Sequence, residues 1–260
     1  MSEPVDRLPQ TRKSYESPTF DHPQVSPLEL FRQWYDEAAG HVREPNAMTV
    51  STLDEWGPSS RIVLLKGIDE TGFMFFTDYD SAKGRQLRAD PRVAVNFPWQ
   101  DMERQVRIRG LAEVAAPEDS DAYFAVRPRG SQIAASVSKQ SQPVSGREQM
   151  QAEYDAALAE YEDKDVPRPE HWGGFRVRVF EIEFWQGQKN RFHDRWVFRR
   201  ADGSHEPADL SRAEEWSPVR LSPCSGLRLE WGLAEIFVVP PALSGRQGDY
   251  DRRGRRQRIE

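Results

Sequence analysis

A single cysteine, Cys224, in a chain of 260 residues excludes an internal disulfide and a cysteine-based metal centre, and it fits a reducing compartment. The five histidines are scattered, with no H-E-x-x-H to bring two imidazoles onto one helix face, so no metal site is expected. No apolar run is long enough to cross a bilayer, and the first ten residues lack the apolar centre of an export signal. The expectation is a cytoplasmic protein away from membranes. Also missing are G-x-G-x-x-G, a P-loop and G-x-S-x-G, which removes the common nucleotide and serine-hydrolase readings. The excess of positive charge that a nucleic-acid binder needs is absent too, since 36 Lys and Arg face 42 Asp and Glu for a net charge of −6. Any anion site must therefore be local.

What is present is a polar chain, 37% hydrophobic and 30% charged, whose 13 Phe, 8 Trp and 7 Tyr supply the bulk for one sizeable core. Residues 1–25 are rich in Pro, Ser and charge without periodicity and predict a mobile arm. Order begins with Ser26, Pro27 and Glu29, an N-cap, a first-turn proline and a capping-box partner, followed by Leu30, Phe31, Trp34 and Ala38 on one helical face and Gly40 as a stop. The period then shortens, predicting strands over 47–53, 61–66, 73–77, 93–97 and 105–114, with a tight turn at 69–72 that makes 61–77 an antiparallel hairpin. Ser81 caps a short helix through Leu87, and two more helices are expected over 117–126 and 146–161, the latter with Met150, Tyr154, Leu158 and Tyr161 on one side. In 175–185 the apolar face flips between Val179 and Phe180, which requires a bulge or a break there. A last strand is expected over 191–199. Antiparallel strands with inserted helices indicate α+β architecture built on a β-barrel.

Four clusters carry chemistry suited to phosphate without a glycine loop. In Arg61, Ile62, Val63, Leu64, Leu65 and Lys66, alternation sends Arg61, Val63 and Leu65 to one face and Ile62, Leu64 and Lys66 to the other, although a strand with solvated ends also explains the pattern. Phe76 and Thr77 precede Ser81, Ala82 and Lys83, where a hydroxyl, a helix N-terminus and an ammonium meet; a plain capped helix is the alternative. Tyr123, Arg127 and Ser131 recur every fourth residue and share a face if the helix runs through Pro128; a helix end with a solvated Arg is the alternative. Arg191, His193 and Arg195 share a face on a strand, with Phe192 opposite, and on a buried face would repel unless an anion lay between them; an exposed basic strand is the alternative.

These clusters lie within a longer match. Glu44-Pro45-Asn46-Ala47-Met48, Arg61 to Lys66, Phe97-Pro98-Trp99, Glu103-Arg104-Gln105-Val106, Arg127-Pro128-Arg129-Gly130-Ser131-Gln132-Ile133, Ser138-Lys139-Gln140-Ser141, Trp172-Gly173-Gly174 and Phe184-Trp185-Gln186-Gly187 through Arg195 resemble, in order and spacing, the pyridoxamine 5′-phosphate oxidases. The resemblance runs from about Arg12 to Pro223 and implies an FMN-binding split β-barrel, spanning 26–223, that forms a homodimer with the cofactor in a cleft shared between subunits. It implies FMN contacts from the Arg61 to Lys66 run, Phe76, Thr77, Lys83, Gln105, Gln140, Ser141, Trp185 and Arg195. Lys66, Tyr123, Arg127 and Ser131 would hold the substrate phosphate, Arg191 and His193, with Phe192 between them, would act over the pyridine ring, and Arg12 and Tyr15 would form an N-terminal lid. The implied reaction oxidises pyridoxamine or pyridoxine 5′-phosphate with O2 to pyridoxal 5′-phosphate and H2O2.

Two departures stand out. Ala82 occupies the place where the family often has Arg beside the phosphate-binding Lys, which predicts weaker FMN binding. The chain also continues past the usual end, from Cys224 to Glu260, as an extension of unassigned role. A phenazine-pathway flavin oxidase and a non-catalytic FMN- or pyridoxal phosphate-binding protein are the alternatives; the Tyr123, Arg127 and Ser131 clamp argues against the first and Arg191 with His193 against the second.

Overall fold

The structure is a computed structural model that describes residues 14–223. The Ser26 hydroxyl accepts from the Glu29 amide at 3.2 Å and starts helix α1 (Pro27–Ala39), which buries Leu30, Phe31, Trp34 and Ala38 as the apolar spacing requires. The Glu29 carboxylate does not close a capping box; it accepts from Gln33 one turn along, at 3.4 Å.

Among the described residues there are nine strands: β1 (Ala47–Asp54), β2 (Gly57–Leu64), β3 (Gly67–Asp69), β4 (Gly72–Asp78), β5 (Arg92–Trp99), β6 (Arg104–Val114), β7 (Trp172–Gln186), β8 (Asp194–Arg200) and β9 (Trp216–Arg220). Every pairing among them is antiparallel, in the order β2-β1-β5-β6-β7-β4-β3, with β8 and then β9 branching from β7. The expected 61–77 hairpin is replaced by two. Residues 61–64 pair with β1, while the tight turn joins the short β3 to β4. The physical reason lies at one peptide: the Leu65 amide donates to Asn46 beside β1, whereas the Lys66 amide donates to Met74 in β4, both at 2.8 Å. The chain thus crosses from one ladder to another between these residues.

Strand β7 contains the irregularity expected from the face flip. Along β6, Gly110 faces Val179 and Arg109 faces Glu181, leaving Phe180 as the extra residue of a bulge within a continuous strand. The edge of β7 opposite β6 is divided there. Residues Trp172 to Val177 pair with β4, and residues Glu181 to Gln186 pair with β8.

Inside the sheet and under α1 lies an aromatic core that includes Phe31, Trp34, Phe73, Phe97, Trp99 and Phe184. A second cluster, with Phe124, Ile133, Ala157 and Trp172, joins helices α3 (Pro117–Ala125), α4 (Arg129–Val137) and α5 (Arg147–Glu160) to the start of β7. The expected apolar face of α5 is only half realised. Tyr154 and Tyr161 pack on this cluster with Ala157, but Met150 and Leu158 are exposed, because the stripe that meets α4 runs through positions 154, 157 and 161. Helix α2 (Ala82–Ala89) is capped by Ser81, as expected. Of the expected arm, residues 14–25 are described and run along the ends of β7 and β8, with hydrogen bonds from the Phe20 amide to Asp194 at 2.9 Å and from Trp196 to the Phe20 carbonyl at 3.0 Å. Arg12 and the extension from Cys224 onward lie outside the described residues.

The β3–β4 turn depends on Gly72, at φ +146°, whose missing side chain leaves room for the Val177 carbonyl of β7. Gly72→Ala is expected to destabilise the fold by about 2–4 kcal/mol in urea unfolding; a loss below about 0.5 kcal/mol would show that the turn relaxes freely.

Candidate functional site

Strands β2 and β4, the N-terminus of α2, helices α3 and α4 and the first residue of β7 enclose a cleft of about 530 Å³. Ile62, Val63, Leu64 and Lys66 all reach it. Strict alternation would have divided these four between two faces, but β2 ends at Leu64 and the crossing at 65/66 turns the chain across the mouth of the cleft. Leu65 is the exception and is buried in the main core. Arg61 does not line the cleft; its guanidinium donates to neutral oxygens of Thr52, Ser59 and Gln86, and burial lowers its pKa.

At one end of the cleft lies Lys83. Its ammonium is buried and donates to Gln140 at 2.6 Å, Thr77 at 2.9 Å and Ser81 at 3.3 Å, all neutral oxygens. Burial, reinforced by the nearby positive charge of Arg61, lowers its pKa to about 8. The Asp78 carboxylate, which also lines the cleft, opposes that lowering only in part and makes no direct bond to Lys83, so the ammonium can still take an anion as a direct partner. Ser141, expected with Gln140 among the FMN contacts, does not line the cleft; both residues line an adjoining groove, and the Ser141 backbone is left-handed at φ 68°.

Towards the helical side of the cleft are Lys66, Tyr123, Arg127 and Ser131. The helix does not run through Pro128, as the four-residue spacing assumed: α3 ends at Ala125 and α4 begins at Arg129. All three residues of the spacing still line the cleft. Arg127 lies over the Trp172 ring at 4.5 Å, and its buried Nη1 has no hydrogen-bond partner. Burial lowers its pKa. An unpaired buried guanidinium N–H is costly unless a ligand completes it. Between the two cationic ends Phe76, Tyr123 and Trp172 form a stack, with Phe76 4.3 Å from Tyr123 and 5.6 Å from Trp172. Gly174 permits this close approach, since a Cβ there would come within 2.9 Å of the Phe76 ring.

The remaining candidates form a separate group. Gln105, Trp185 and Arg195 are direct neighbours across β6, β7 and β8. His193 packs on Trp185 at 4.6 Å, and Tyr15 lies edge-on to both rings. None of these lines the cleft. Gly173, facing Thr77, and Trp185 are separated along β7 by up to roughly 40 Å at about 3.3 Å per residue. The picture of Arg191, His193 and Arg195 on one strand face also fails, because β8 starts only at Asp194 and Arg191 lies in a short turn at φ 63°. Arg195 is charge-paired with the buried Glu183 at 2.7 Å, and Phe192 is exposed. His193 keeps a lowered pKa through burial, then Arg191 and Arg195.

The sequence reading missed Trp172 as a wall of the cleft and Gln86 as the partner of Arg61. Neither carries a local signal: Trp172 opens β7 far from β4 in the chain, and Gln86 faces Arg61 only through the packing of α2.

Residues 35–160 match the family described as "Pyridoxamine 5'-phosphate oxidase", and residues 172–223 match the "Pyridoxine 5'-phosphate oxidase C-terminal dimerisation region". The pyridoxine/pyridoxamine 5′-phosphate oxidase of Salinibacter ruber is 48% identical over 78% of this chain and 92% of its own length. That of Cupriavidus necator is 46% identical over 84% of this chain and all of its own. Among solved structures, PhzG from Burkholderia lata, in complex with tetrahydrophenazine-1-carboxylic acid, has a TM-score of 0.70 at 28% identity over 80% of this chain and 98% of its own. A pyridoxamine 5′-phosphate oxidase-related, FMN binding protein from Nostoc punctiforme has a TM-score of 0.59 at 14% identity, covering 77% and 99%, and shows the shared fold.

The buried ammonium predicts a pH signature. Between about 8 and 10.5 the unfolded chain retains the Lys83 proton that the folded chain has released, so stability due to this residue rises with pH across that window. Lys83→Met is expected to be at least as stable as the parent at pH 7, with the parent gaining on it by pH 10 in urea unfolding. A Met variant that is less stable at pH 7 and shows no such convergence would mean that Lys83 supports the fold rather than a ligand.

Proposed function

The chain belongs to the pyridoxamine 5′-phosphate oxidase family, and from that premise we propose that it oxidises pyridoxamine and pyridoxine 5′-phosphates to pyridoxal 5′-phosphate, with FMN as cofactor, O2 as acceptor and H2O2 as product. The observation that carries this reading is a single cleft with two cationic ends, the buried Lys83 ammonium and the unpaired Nη1 of Arg127, joined by an aromatic wall. Such a cleft suits two phosphorylated aromatic molecules side by side. The Lys83 end, with Thr77 and Gln140, suits the FMN phosphate; Lys66, Tyr123, Arg127 and Ser131 suit the phosphate of the substrate. The absence of an arginine at position 82 leaves Lys83 as the main charge at the cofactor end, so FMN affinity is expected to fall as pH rises past about 8.

FMN, held by Lys83, Thr77 and Gln140, would supply the two-electron redox chemistry between the substrate C4′ and O2. The protein holds the reactants and the proton inventory. His193 Nδ1 accepts a hydrogen bond from the Gln188 amide at 3.1 Å, and its lowered pKa keeps the ring neutral near pH 7. The ring proton then resides on Nε2, which makes His193 a hydrogen-bond donor to the substituent on C4′. Arg191 is assigned to orient the pyridine ring.

The two residue groups are too far apart along β7 for one small ligand to reach both, and the second group lies in the segment matching a dimerisation region. We therefore assign the complete site to two copies, Lys66, Phe76, Thr77, Lys83, Tyr123, Arg127 and Ser131 from one and Gln105, Trp185, Arg191, His193 and Arg195 from the other. A phenazine-type oxidation is less well supported, because PhzG is 28% identical whereas relatives named for the vitamin B6 reaction reach 44–52%. Location in the cytoplasm belongs to the same proposal.

Three outcomes test it. Purified protein with FMN should release H2O2 and pyridoxal 5′-phosphate from both substrates, and Arg127→Ala should raise KM roughly 100-fold, as expected when a charge-assisted phosphate contact is lost. FMN binding without turnover of either compound would refute the assignment. For His193, Gln should retain more activity than Ala, because its amide keeps a donor near the Nε2 position; equal loss would remove the donor role. Mixing inactive Lys66→Ala and Arg191→Ala proteins through refolding should restore up to roughly a quarter of the parent activity, since half of the mixed dimers' sites are then intact. No recovery would place both groups in one copy.

A further inference from the structure

We propose that Glu103 is a positioning residue for this reaction, a latch that holds the N-terminal segment closed over His193 and Trp185; the inference rests on the function assigned above. Glu103 follows the short turn between β5 and β6 and has left-handed backbone, φ 55° and ψ 32°, a conformation that disfavours any side chain but glycine or, less strongly, asparagine and aspartate. The surrounding bonds show what that geometry accomplishes. The Glu103 carbonyl accepts from the Gly187 amide at 2.7 Å and from the Gln186 side chain at 3.2 Å, so the backbone ties the end of β7. The carboxylate points the other way. One oxygen, Oε2, accepts from the Glu16 amide at 2.9 Å, the Ser17 amide at 3.2 Å and the Ser17 hydroxyl at 2.8 Å.

Those three bonds fix the residues that follow Tyr15. The Tyr15 ring lies 5.9 Å from Trp185 and 5.6 Å from His193, nearly perpendicular to the first. Gly187 leaves the space for it, since a Cβ at that position would come within 3.0 Å of both Tyr15 and Glu103. The same short loop carries the Gln188 amide that sets the proton position on His193, so Glu103 grips both the cover and the loop beneath it. An exposed, weak ion pair from Lys189 to the Glu16 carboxylate at 3.6 Å holds that side chain, the Gln188 side chain donates to the Pro18 carbonyl at 2.7 Å and Asp194 receives the Phe20 amide, but the Glu103 carboxylate is what fixes the amides of residues 16 and 17. Substrate at the His193 face is then covered by Tyr15 while that carboxylate holds residues 16 and 17.

The test compares Glu103→Gly and Glu103→Gln in the full-length enzyme loaded with FMN. Glycine accepts the left-handed backbone and preserves the Gly187 bond, so the fold is retained while the latch is removed; glutamine keeps one acceptor oxygen. Amide hydrogen exchange at residues 16 and 17 should accelerate roughly tenfold or more in the Gly variant, with the Gly187 amide still protected, and KM for pyridoxamine 5′-phosphate should rise roughly tenfold while kcat changes by less than about threefold. Gln should fall between parent and Gly in both readouts. Unchanged exchange at 16 and 17 overturns the latch, and faster exchange with unchanged KM overturns its role in positioning. A parent enzyme that turns over neither substrate refutes the assigned reaction instead, which the exchange measurement, needing no turnover, keeps separate from the latch.

Discussion

The bulge at Phe180 is the constraint on which the arrangement of the molecule depends. A strand presents alternate residues to its two faces, and one extra residue exchanges those faces. Before the bulge, Phe175, Val177 and Val179 point into the core; after it, Ile182 and Phe184 do so, and the shift lets one 15-residue strand stay buried along its whole length. It also changes the neighbour on one edge, from β4 to β8. The β4 end carries Phe76, Thr77 and the cleft, and the β8 end carries Trp185, His193 and Arg195. Separation of the two groups within one chain follows from the hydrogen-bonding of a single strand.

Electrostatics divides along the same line. Over the β8 half, charges are matched: Glu183 bridges Arg107 and Arg195, and Glu181 bridges Arg109 and Arg199. Each carboxylate on the middle strand is shared by a guanidinium from either neighbour, so all four cations have a partner although the ladder keeps a net charge of +2 (four Arg against two Glu). In the cleft direct pairing is absent. Lys83 hydrogen-bonds only to neutral oxygens, with the Asp78 carboxylate of the cleft acting on it without a direct bond, and Arg127 lies against Trp172 and Phe124 with one nitrogen unpaired. The cost of burying these cations is only partly offset within the chain, and an anion in the cleft would offset more of it. Stability and binding are opposed there, and the lowered pKa of Lys83 expresses that opposition.

Much of the architecture is local and was legible in the chain. The cap at Ser26, the stripe on α1, the helix capped by Ser81 and the flip at 179/180 each follow from a few consecutive residues, because capping and periodicity are short-range effects. The pairing partner of 61–64 was not legible. Alternation identifies a strand but not its neighbour, and the choice was made by the amide bonds of Leu65 and Lys66 to two different ladders. The same limit applies to α5, whose composition offers two apolar stripes and whose packing against α4 selects one.

For the site, residue types and order were enough to name Lys66, Phe76, Thr77, Lys83, Tyr123, Arg127 and Ser131, and the fold brings all seven to one cleft. The spacing argument for the last three held only in its outcome, since the helix breaks at Pro128 and the second helix restores the convergence. The grouping of Arg191, His193 and Arg195 was a matter for tertiary structure, because a turn precedes β8 and Glu183 claims Arg195. So was the contact of Glu103 with residues 16 and 17, which lie 87 and 86 positions away in the chain. By itself the sequence determined the caps, the apolar stripes and most of the strands, together with which residue types were available for an anion site, since these depend on neighbours along the chain. The folded structure alone decided which of them meet, through strand pairing, one bulge and two crossing hydrogen bonds between residues far apart in sequence.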